Sequence, residues 1–423
     1  MYLKLLSFFF FLFVSSLVTG QVFTLQQAEK RALDYYPIAK LKKNYREVAN
    51  LNSSNISKAW YPQLNAGGQA TYQSDVTKIS IPNAPFVVEP LSKEQFKFNL
   101  DVNQMIYDGG YSKAQQGIAS VNADIEEAKI EVELHRLKER IQQLYLGTLY
   151  LDELIHQLTF VKNDLEQGIK KMNAQLDGGV VYRSSVDVLK AEILKTEQRE
   201  IEIQTSRASY IGALAILTDT ILNNNVFLEK PVYPTGIEVG LIGLQSTLFN
   251  SQKNMVDKQA DLVKATKNPK ANLFAQGGYG RPGLNMLKNE FDLYGIGGIR
   301  LNWSLSNFYT NNNERKLLAI AKQNILLQEE TFTKNTNVQA DQFEKEIVKL
   351  KALIEKDETI VGLRKAIKEA ATAQLEAGVI TSNDFLREVN AEDAARQTLK
   401  AHEIQLLQAE LQLNMLIGKQ TKK

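Results

Sequence analysis

The stretch GYGRPG, residues 278–283, has the G-x-G-x-x-G spacing of phosphate-binding turns. That spacing works when a helix begins within it, so that backbone N–H groups at the helix N-terminus face phosphate oxygens. Here the glycines sit in a strand-like run and Pro282 falls in a loop between two strands, so the helix is missing. No P-loop, HExxH pair or Ser/His/Asp arrangement occurs elsewhere. The histidines, His135, His156 and His402, are scattered over helical stretches, where a lone His is more often surface or core than a metal ligand. Cysteine is absent, which excludes thiol nucleophiles, disulfides and a lipidated Cys at the start of a mature chain. Lysines and arginines (50) nearly cancel aspartates and glutamates (48), so no basic field for nucleic acid exists. The sequence offers no catalytic residues, metal or cofactor, and no enzyme is expected. Two other groups of residues stand out. Gly179-Val180-Val181 and Gly378-Val379-Ile380 interrupt helical periodicity, as a glycine C-cap does. Asp384, in Thr381-Ser382-Asn383-Asp384, stands where a helix N-terminus wants a carboxylate, and Asp187 is its first-half counterpart with one residue of slippage.

The elements that carry these residues come in two copies. YPQLNAGGQATY (61–72) answers NPKANLFAQGGY (268–279), DVNQMIYDGG (101–110) answers RLNWSLSNFY (300–309), and QLDGGVVYRSSVDVLKAE (175–192) answers QLEAGVITSNDFLREVNAE (374–392). The chain reads as a signal peptide over 1–20, a first repeat over 21–215 and a second over 216–423. The signal is Lys4 followed by an apolar run and Val18-Thr19-Gly20. No later stretch reaches the roughly 18 apolar residues of a spanning helix. Four strands are expected, at 64–73, about 95–106, 271–280 and 291–305. In FKFNLDVN, Phe96, Phe98, Leu100 and Val102 alternate with Lys97, Asn99, Asp101 and Asn103. Leu301 and Trp303 share the apolar face of the last strand. Between the strands lie a loop with Pro82, Pro85 and Pro90 and a shorter one, 281–290. The rest reads as helix: long stretches at 112–176 and 312–376, and shorter ones at 24–58, 184–222, 237–266 and 383–417. Apolar or small residues at 137, 141, 144, 148, 151, 155 and 158, and Ile347, Leu350, Ile354, Ile360, Leu363 and Ile367, form coiled-coil seams. Some 65 helical residues give a rod on the order of 100 Å.

Two-faced strands need a partner for the apolar face, either a protein core or lipid. The helices carry their own seams, the strands reach the roughly 9–11 residues of a tilted membrane strand, and Tyr72, Tyr107 and Trp303 lie at strand ends. Lipid is the favoured partner. No backbone group can stay unpaired in lipid, so the sheet must close. Single-chain barrels begin at about eight strands, whereas three chains of four would supply twelve.

The doubled strand–helix unit, the YPQL opening, the DGG after the second strand, the G-V-[VI]-x-x-S tips and the start TLQQAEKRALDYYP (24–37) resemble the TolC-like outer-membrane efflux proteins. The resemblance spans essentially the whole chain after the signal and departs from the pattern at SNFY (306–309), where the first half has YDGG. It implies a mainly α fold with membrane β: a duplicated repeat forming a long coiled-coil α-helical barrel and a 12-stranded trimeric β-barrel. It also implies a homotrimer in the outer membrane of a Gram-negative cell, extending into the periplasm and acting as the passive exit duct of a tripartite efflux or secretion system. Its partners would be a periplasmic adaptor, an inner-membrane transporter and outer-membrane lipid. In similar proteins the tips, here Gly179, Val180, Val181, Gly378, Val379 and Ile380, dock the adaptor. Asp384 falls where the family places a carboxylate at the closed periplasmic pore, with Asp187 as the other candidate. Arg387 stands where a second acidic residue is often found, which puts a doubled acidic ring in doubt. A helix cap accounts for Asp384 equally well. A second class also fits: a structural or adhesive coiled-coil envelope protein without a conduit.

Overall fold

The computed structural model describes residues 22–78, 90–231 and 239–418. The expected signal sequence and the loop prolines Pro82 and Pro85 lie outside the described residues. The chain begins with strand β1 (Val22–Phe23), helix α1 (Leu25–Tyr35) and helix α2 (Leu41–Ser57). Strands β2 (Gln63–Tyr72) and β3 (Glu94–Tyr107) follow, then helices α3 (Tyr111–Asp177) and α4 (Arg183–Thr218). After strand β4 (Phe227–Leu228) the pattern returns as α5 (Leu241–Ala265), β5 (Lys270–Arg281), β6 (Asp292–Asn302), α6 (Asn307–Glu376) and α7 (Ser382–Ile417). The order strand, strand, long helix, shorter helix therefore occurs twice, as the internal similarity predicts. No helix among the described residues is long and apolar enough to cross a membrane.

Local chemistry sets the boundaries. Thr24 caps α1 through a capping box with Gln27, and Pro37 stands just past the helix end, where it cannot continue the turn. The first strand-to-helix turn is closed by Asp108, whose carboxylate accepts from the backbone N–H groups of Gly110 (2.8 Å) and Ser112 (2.6 Å). In the second half Asn307 takes that place. Its Nδ2 donates to the Thr266 carbonyl at 2.8 Å, and α6 starts at Asn307 itself. The departure at SNFY thus replaces an anionic cap with an amide that ties the turn to the end of α5.

Two compact units divide the chain, and each takes pieces from both repeats. One comprises Pro37–Glu133 and Leu241–Val338. It holds a four-stranded antiparallel sheet in the order β2-β3-β5-β6. Its helical part packs Val121, Ile125 and Ala128 of α3 against Leu248 of α5. Arg46 of α2 bridges Asp124 and Glu127 of α3, and Lys253 of α5 reaches Glu329 of α6 at 2.9 Å.

The other unit comprises the described residues of Met1–Tyr36, Leu134–Gly240 and Gln339–Lys423. Here β1 and β4 pair in parallel, and the buried Tyr145 hydroxyl lies within hydrogen-bond reach of both the Phe23 (2.8 Å) and Glu229 (2.7 Å) carbonyls. Val161, Leu165 and Met172 of α3, Val186 and Leu189 of α4, Leu375 of α6 and Phe385, Leu386 and Val389 of α7 form its apolar core near the helix ends. On the first seam, 137, 141, 148 and 158 are buried and 144, 151 and 155 half-buried. The second seam holds in part: Leu350 is buried and Ile347 and Ile354 half-buried, but Ile360, Leu363 and Ile367 are exposed. Heptad spacing fixes which residues share a stripe, and says nothing of whether the facing helix belongs to the same chain.

Candidate functional site

The sheet is built from residues whose faces the register fixes. Phe96, Phe98, Leu100 and Val102 of β3 stand opposite Ala70, Gly68, Ala66 and Leu64 of β2, and opposite Arg281, Tyr279, Gly277 and Ala275 of β5. Continuing into β6, Leu293, Ile299 and Leu301 lie on the same face. The opposite face carries Asn65, Gln69, Lys97, Asn99, Asp101, Asn103, Asn272, Gln276, Asp292 and Arg300. On that polar face Asp101 accepts from Gln276 Nε2 at 2.6 Å and from the Asn99 amide.

Exposure runs against hydrophobicity. Phe98 is 59% and Leu100 49% exposed, while their neighbours Lys97 and Asn99 are half-buried. On β6, Leu293 and Ile299 are 77% and 71% exposed. Along the central strands β3 and β5 the apolar side is open and the polar side sheltered, inverted relative to a sheet covering a water-soluble core, whereas on the outer strands Asn65, Gln69, Asp292 and Arg300 of the polar side are exposed too. Both outer strands, β2 and β6, are paired on one side only. A long edge strand leaves a row of N–H and C=O groups to be satisfied by another chain.

Aromatic rings mark both ends of the apolar face. Phe291 stacks on Tyr279 (5.4 Å between centroids) and lies 6.1 Å from Phe96, with the Arg281 guanidinium 5.2 Å from Phe291 and 5.6 Å from Phe96. At the helical end stand Trp60, Tyr61, Tyr107, Trp303 and Tyr309, all exposed. Trp303 is not part of a strand, a correction to the expected 291–305 span: β6 ends at Asn302. Its partner β5 begins at Lys270, and the preceding Pro269 has no N–H with which to extend the ladder. The Trp303 indole instead donates to the Lys267 carbonyl at 2.9 Å.

The two tips lie in the other unit. Gly179 (φ +74°) and Gly378 (φ +66°) adopt the left-handed conformation. The N–H of Val180 bonds the carbonyl of Gln175 (2.8 Å), and the N–H of Gly179 that of Leu176 (2.9 Å). Val379 repeats the first bond to Gln374 (2.9 Å) and Gly378 the second to Leu375 (3.1 Å). Both tips are therefore Schellman endings. Each turns one hydrophobe out and one in: Val180 and Val379 are exposed, whereas Val181 and Ile380 pack on the core. Gln175 ties the tips together, its Nε2 donating to the carbonyls of Leu375 and Glu376, both at 3.0 Å. Sequence reading missed this residue, since a glutamine on a helix carries no signal of its role.

Thr381 is the N-cap of α7, and Asp384 completes the box from the third helical position. Asp384 Oδ2 accepts from Thr381 Oγ1 (2.7 Å) and Thr381 N (3.2 Å), while Arg387 approaches Oδ1 at 3.7 Å. These hydrogen bonds, foremost the Thr381 hydroxyl, hold the carboxyl below the usual carboxylate range, and Arg387 adds to the effect. Asp187 is not its positional counterpart. Measured from the two turn glycines, Ser185 stands where Asp384 does and Tyr182 where Thr381 does. Asp187 lies two residues further along, 3.9 Å from Arg183.

Above the tips the helices are tied by charge. Lys368 bridges Asp164 (2.7 Å) and Glu392 (2.8 Å), and Glu392 also accepts from Arg396 (2.6 Å). The histidines fall apart, as their scatter predicts. His135 is buried, His156 lies against Phe160, and His402 Nδ1 sits 2.5 Å from Asp357 Oδ2. No group of three or more His, Asp or Glu suited to a metal occurs among the described residues.

No protein-family model matches the sequence, and no curated protein matches it. Solved structures do. The outer membrane protein VceC of Vibrio cholerae superposes with a TM-score of 0.70 at 16% identity, over 93% of this chain and 96% of VceC. The CmeC outer membrane channel of Campylobacter jejuni gives 0.66 at 15% identity, over 94% and 87%. The Neisseria gonorrhoeae MtrE outer membrane channel, solved in its open state, gives 0.66 at 15% identity, over 93% and 88%. The chain has the fold of the TolC-like outer-membrane channels along nearly its whole length.

Proposed function

We propose that the protein is an outer-membrane channel of a Gram-negative cell, closed from three copies of this chain and reaching into the periplasm. The observation that carries this reading is the sheet: four strands of spanning length, the apolar face open, the polar face sheltered along the central strands β3 and β5, and both edges unpaired within the chain. Lipid accepts such a face only if the edges are closed, and three copies close twelve strands with the polar face inward. The channel would serve as the passive exit duct of a tripartite efflux or secretion system, with a periplasmic adaptor and an inner-membrane transporter as partners. Gly179, Val180, Val181, Gly378, Val379 and Ile380 are the proposed docking tips. Exposed Val180 and Val379 at rigid Schellman turns supply the apolar contact a helical hairpin would take. Asp384 is the proposed acidic residue of the periplasmic gate, with Asp187 as a second carboxylate near the same helix ends. No catalytic role is proposed for any residue.

The alternative, a structural or adhesive coiled-coil protein, gives the helices a purpose but leaves the open apolar sheet without one. Cell fractionation followed by reconstitution in planar bilayers separates the two. The channel reading expects the protein in the outer-membrane fraction and discrete conductance steps from purified protein. Residence elsewhere, or bilayers that stay silent, would favour the alternative.

A further inference from the structure

The polar face of the sheet is not uniformly polar. Along β2 and β3 it carries side chains such as Gln69, Lys97, Asn99 and Asp101, with Met105 as the single large apolar exception. Along β5 and β6 it also carries Phe274, Tyr294 and Ile296. Two of these are rings, and each stands directly opposite a glycine: Tyr294 faces Gly278, and Phe274 faces Gly298. The pairing has a steric consequence. A Cβ on Gly278 would come within 2.3 Å of Tyr294 Cζ and 2.5 Å of its hydroxyl, and one on Gly298 within 3.2 Å of Phe274 Cε1. Each ring therefore lies over the backbone of the neighbouring strand, and both side chains are half-buried. Filling the gap left by a strand glycine is one service such a ring performs, and that service alone requires no ligand.

Phe274 reveals what such a ring attracts here. The Arg300 guanidinium lies 4.6 Å from its centroid, so a planar cation already occupies that position. The Tyr294 ring has no cation over it among the described residues. Its charged neighbours on this face are Asp292, two residues along its own strand, and Asp101, on β3 beside the position opposite Gly278. Lys97 stands across from Gly280. Two carboxylates against one ammonium favour a cation over the ring.

We propose that Tyr294, seated on Gly278, is an aromatic contact face for planar organic cations moving along the polar side of the sheet. This rests on the reading of that side as the lumen of a channel, and it adds a cargo class and a residue that recognises it. A flat cation gains from stacking and from the ring quadrupole together, whereas a compact ammonium gains only the second.

The test uses the full mature chain in mild detergent, with ethidium as the planar cation and tetraethylammonium as the comparison of equal charge. Equilibrium dialysis should find ethidium bound at one site per chain and tetraethylammonium bound far more weakly. Tyr294→Leu should weaken ethidium binding by about fivefold or more, the scale of one lost stacking face, whereas Tyr294→Phe should keep most of it. Binding unchanged in Tyr294→Leu, or lost equally in Tyr294→Phe, overturns the proposal. Gly278→Ala leaves the tyrosine in place but lifts its ring from the wall. It should lower single-channel conductance, and Tyr294→Ala added to it should restore the conductance. If neither changes, the ring is not on the lumen path. A protein that forms no channel defeats the proposed function itself; a channel in which Tyr294→Leu behaves as wild type defeats only this inference.

Discussion

At the residue scale, two ionisable groups have environments that set measurable behaviour. His135 is buried in α3, its Nε2 has no partner, and its ring is hydrogen-bonded to the Met415 backbone. Burial foremost, with Lys138 nearby, pushes its pKa down to about 4. The ordinary value is higher, so between about pH 6.5 and 4 the unfolded chain binds a proton that the folded chain refuses. The neutral state costs nothing above that window, and stability falls as pH drops through it, by up to about 3 kcal/mol per chain. His135→Leu removes the titrating group, so denaturant midpoints of the variant should vary less between pH 7 and 4 than those of the wild type. Equal slopes would mean that His135 is solvated. Asp384 behaves in the opposite way. Its hydrogen bonds from Thr381 keep it ionised well into acid, so a gate built on it carries its charge throughout the physiological range. In the proposed trimer Asp384→Asn would remove three charges, and it retains an oxygen for the cap. The reversal potential in a salt gradient should then shift away from cation selectivity while the trimer's melting temperature stays unchanged. An unshifted potential leaves Asp384 as a helix cap alone.

At the element scale, the strands were the most legible part of the chain, because a period of two assigns every side chain to a face once one is assigned. FKFNLDVN alone placed Phe96, Phe98, Leu100 and Val102 together, and the register bears this out. The turn glycines were legible for a similar reason: Gly179 and Gly378 fill a position at positive φ that few other residues accept. Three details were not legible. The end of β6 depends on where β5 begins, which is a property of the partner strand. The counterpart of Asp384 depends on counting from the turn, and Tyr182, a poor cap, hides the equivalence with Thr381. Phe274 and Tyr294 contradict the alternation for a steric reason that lies in the glycines across from them. The two-faced reading makes an asymmetric prediction. Phe98→Arg places a charge on the open apolar face, where a charge near the bilayer midplane costs roughly 2–4 kcal/mol. Asn99→Arg, one residue away, places the charge on the polar face with Asp101 within reach. Heat-modifiable, outer-membrane-assembled protein should fall sharply for the first variant and little for the second. Equal losses would mean that the apolar face packs on protein.

At the scale of the whole molecule, one chain leaves two separate surfaces uncovered, and association of copies would cover both. In one unit the sheet has unpaired edges on β2 and β6. In the other, α6 carries a stripe of Leu353, Ile360, Leu363 and Ile367 that repeats at heptad spacing and is open to solvent, Leu363 at 62%. The seam was legible in the sequence; its partner was not, since the same knobs fit holes offered by either this chain or another copy. A stripe of this kind, each side chain contributing on the order of 1.5–3 kcal/mol when fully buried, is a large apolar surface to leave in water. If three copies close the barrel, neighbouring helices would cover it. Leu363→Glu, placed in the middle of the stripe and far along the chain from every strand, should therefore weaken the trimer while leaving the fold of each chain intact. Light scattering of the purified protein in mild detergent should report trimers for the wild type and a concentration-dependent shift toward monomers for Leu363→Glu, with the helical circular dichroism of the two nearly equal. Phe98→Arg serves as the contrasting variant, since it should impair membrane assembly without touching this seam. A wild-type protein that is monodisperse as a monomer would remove the basis for a closed barrel. A Leu363→Glu protein that remains fully trimeric would show that the stripe faces the periplasm and that the edges of the sheet alone hold the copies together.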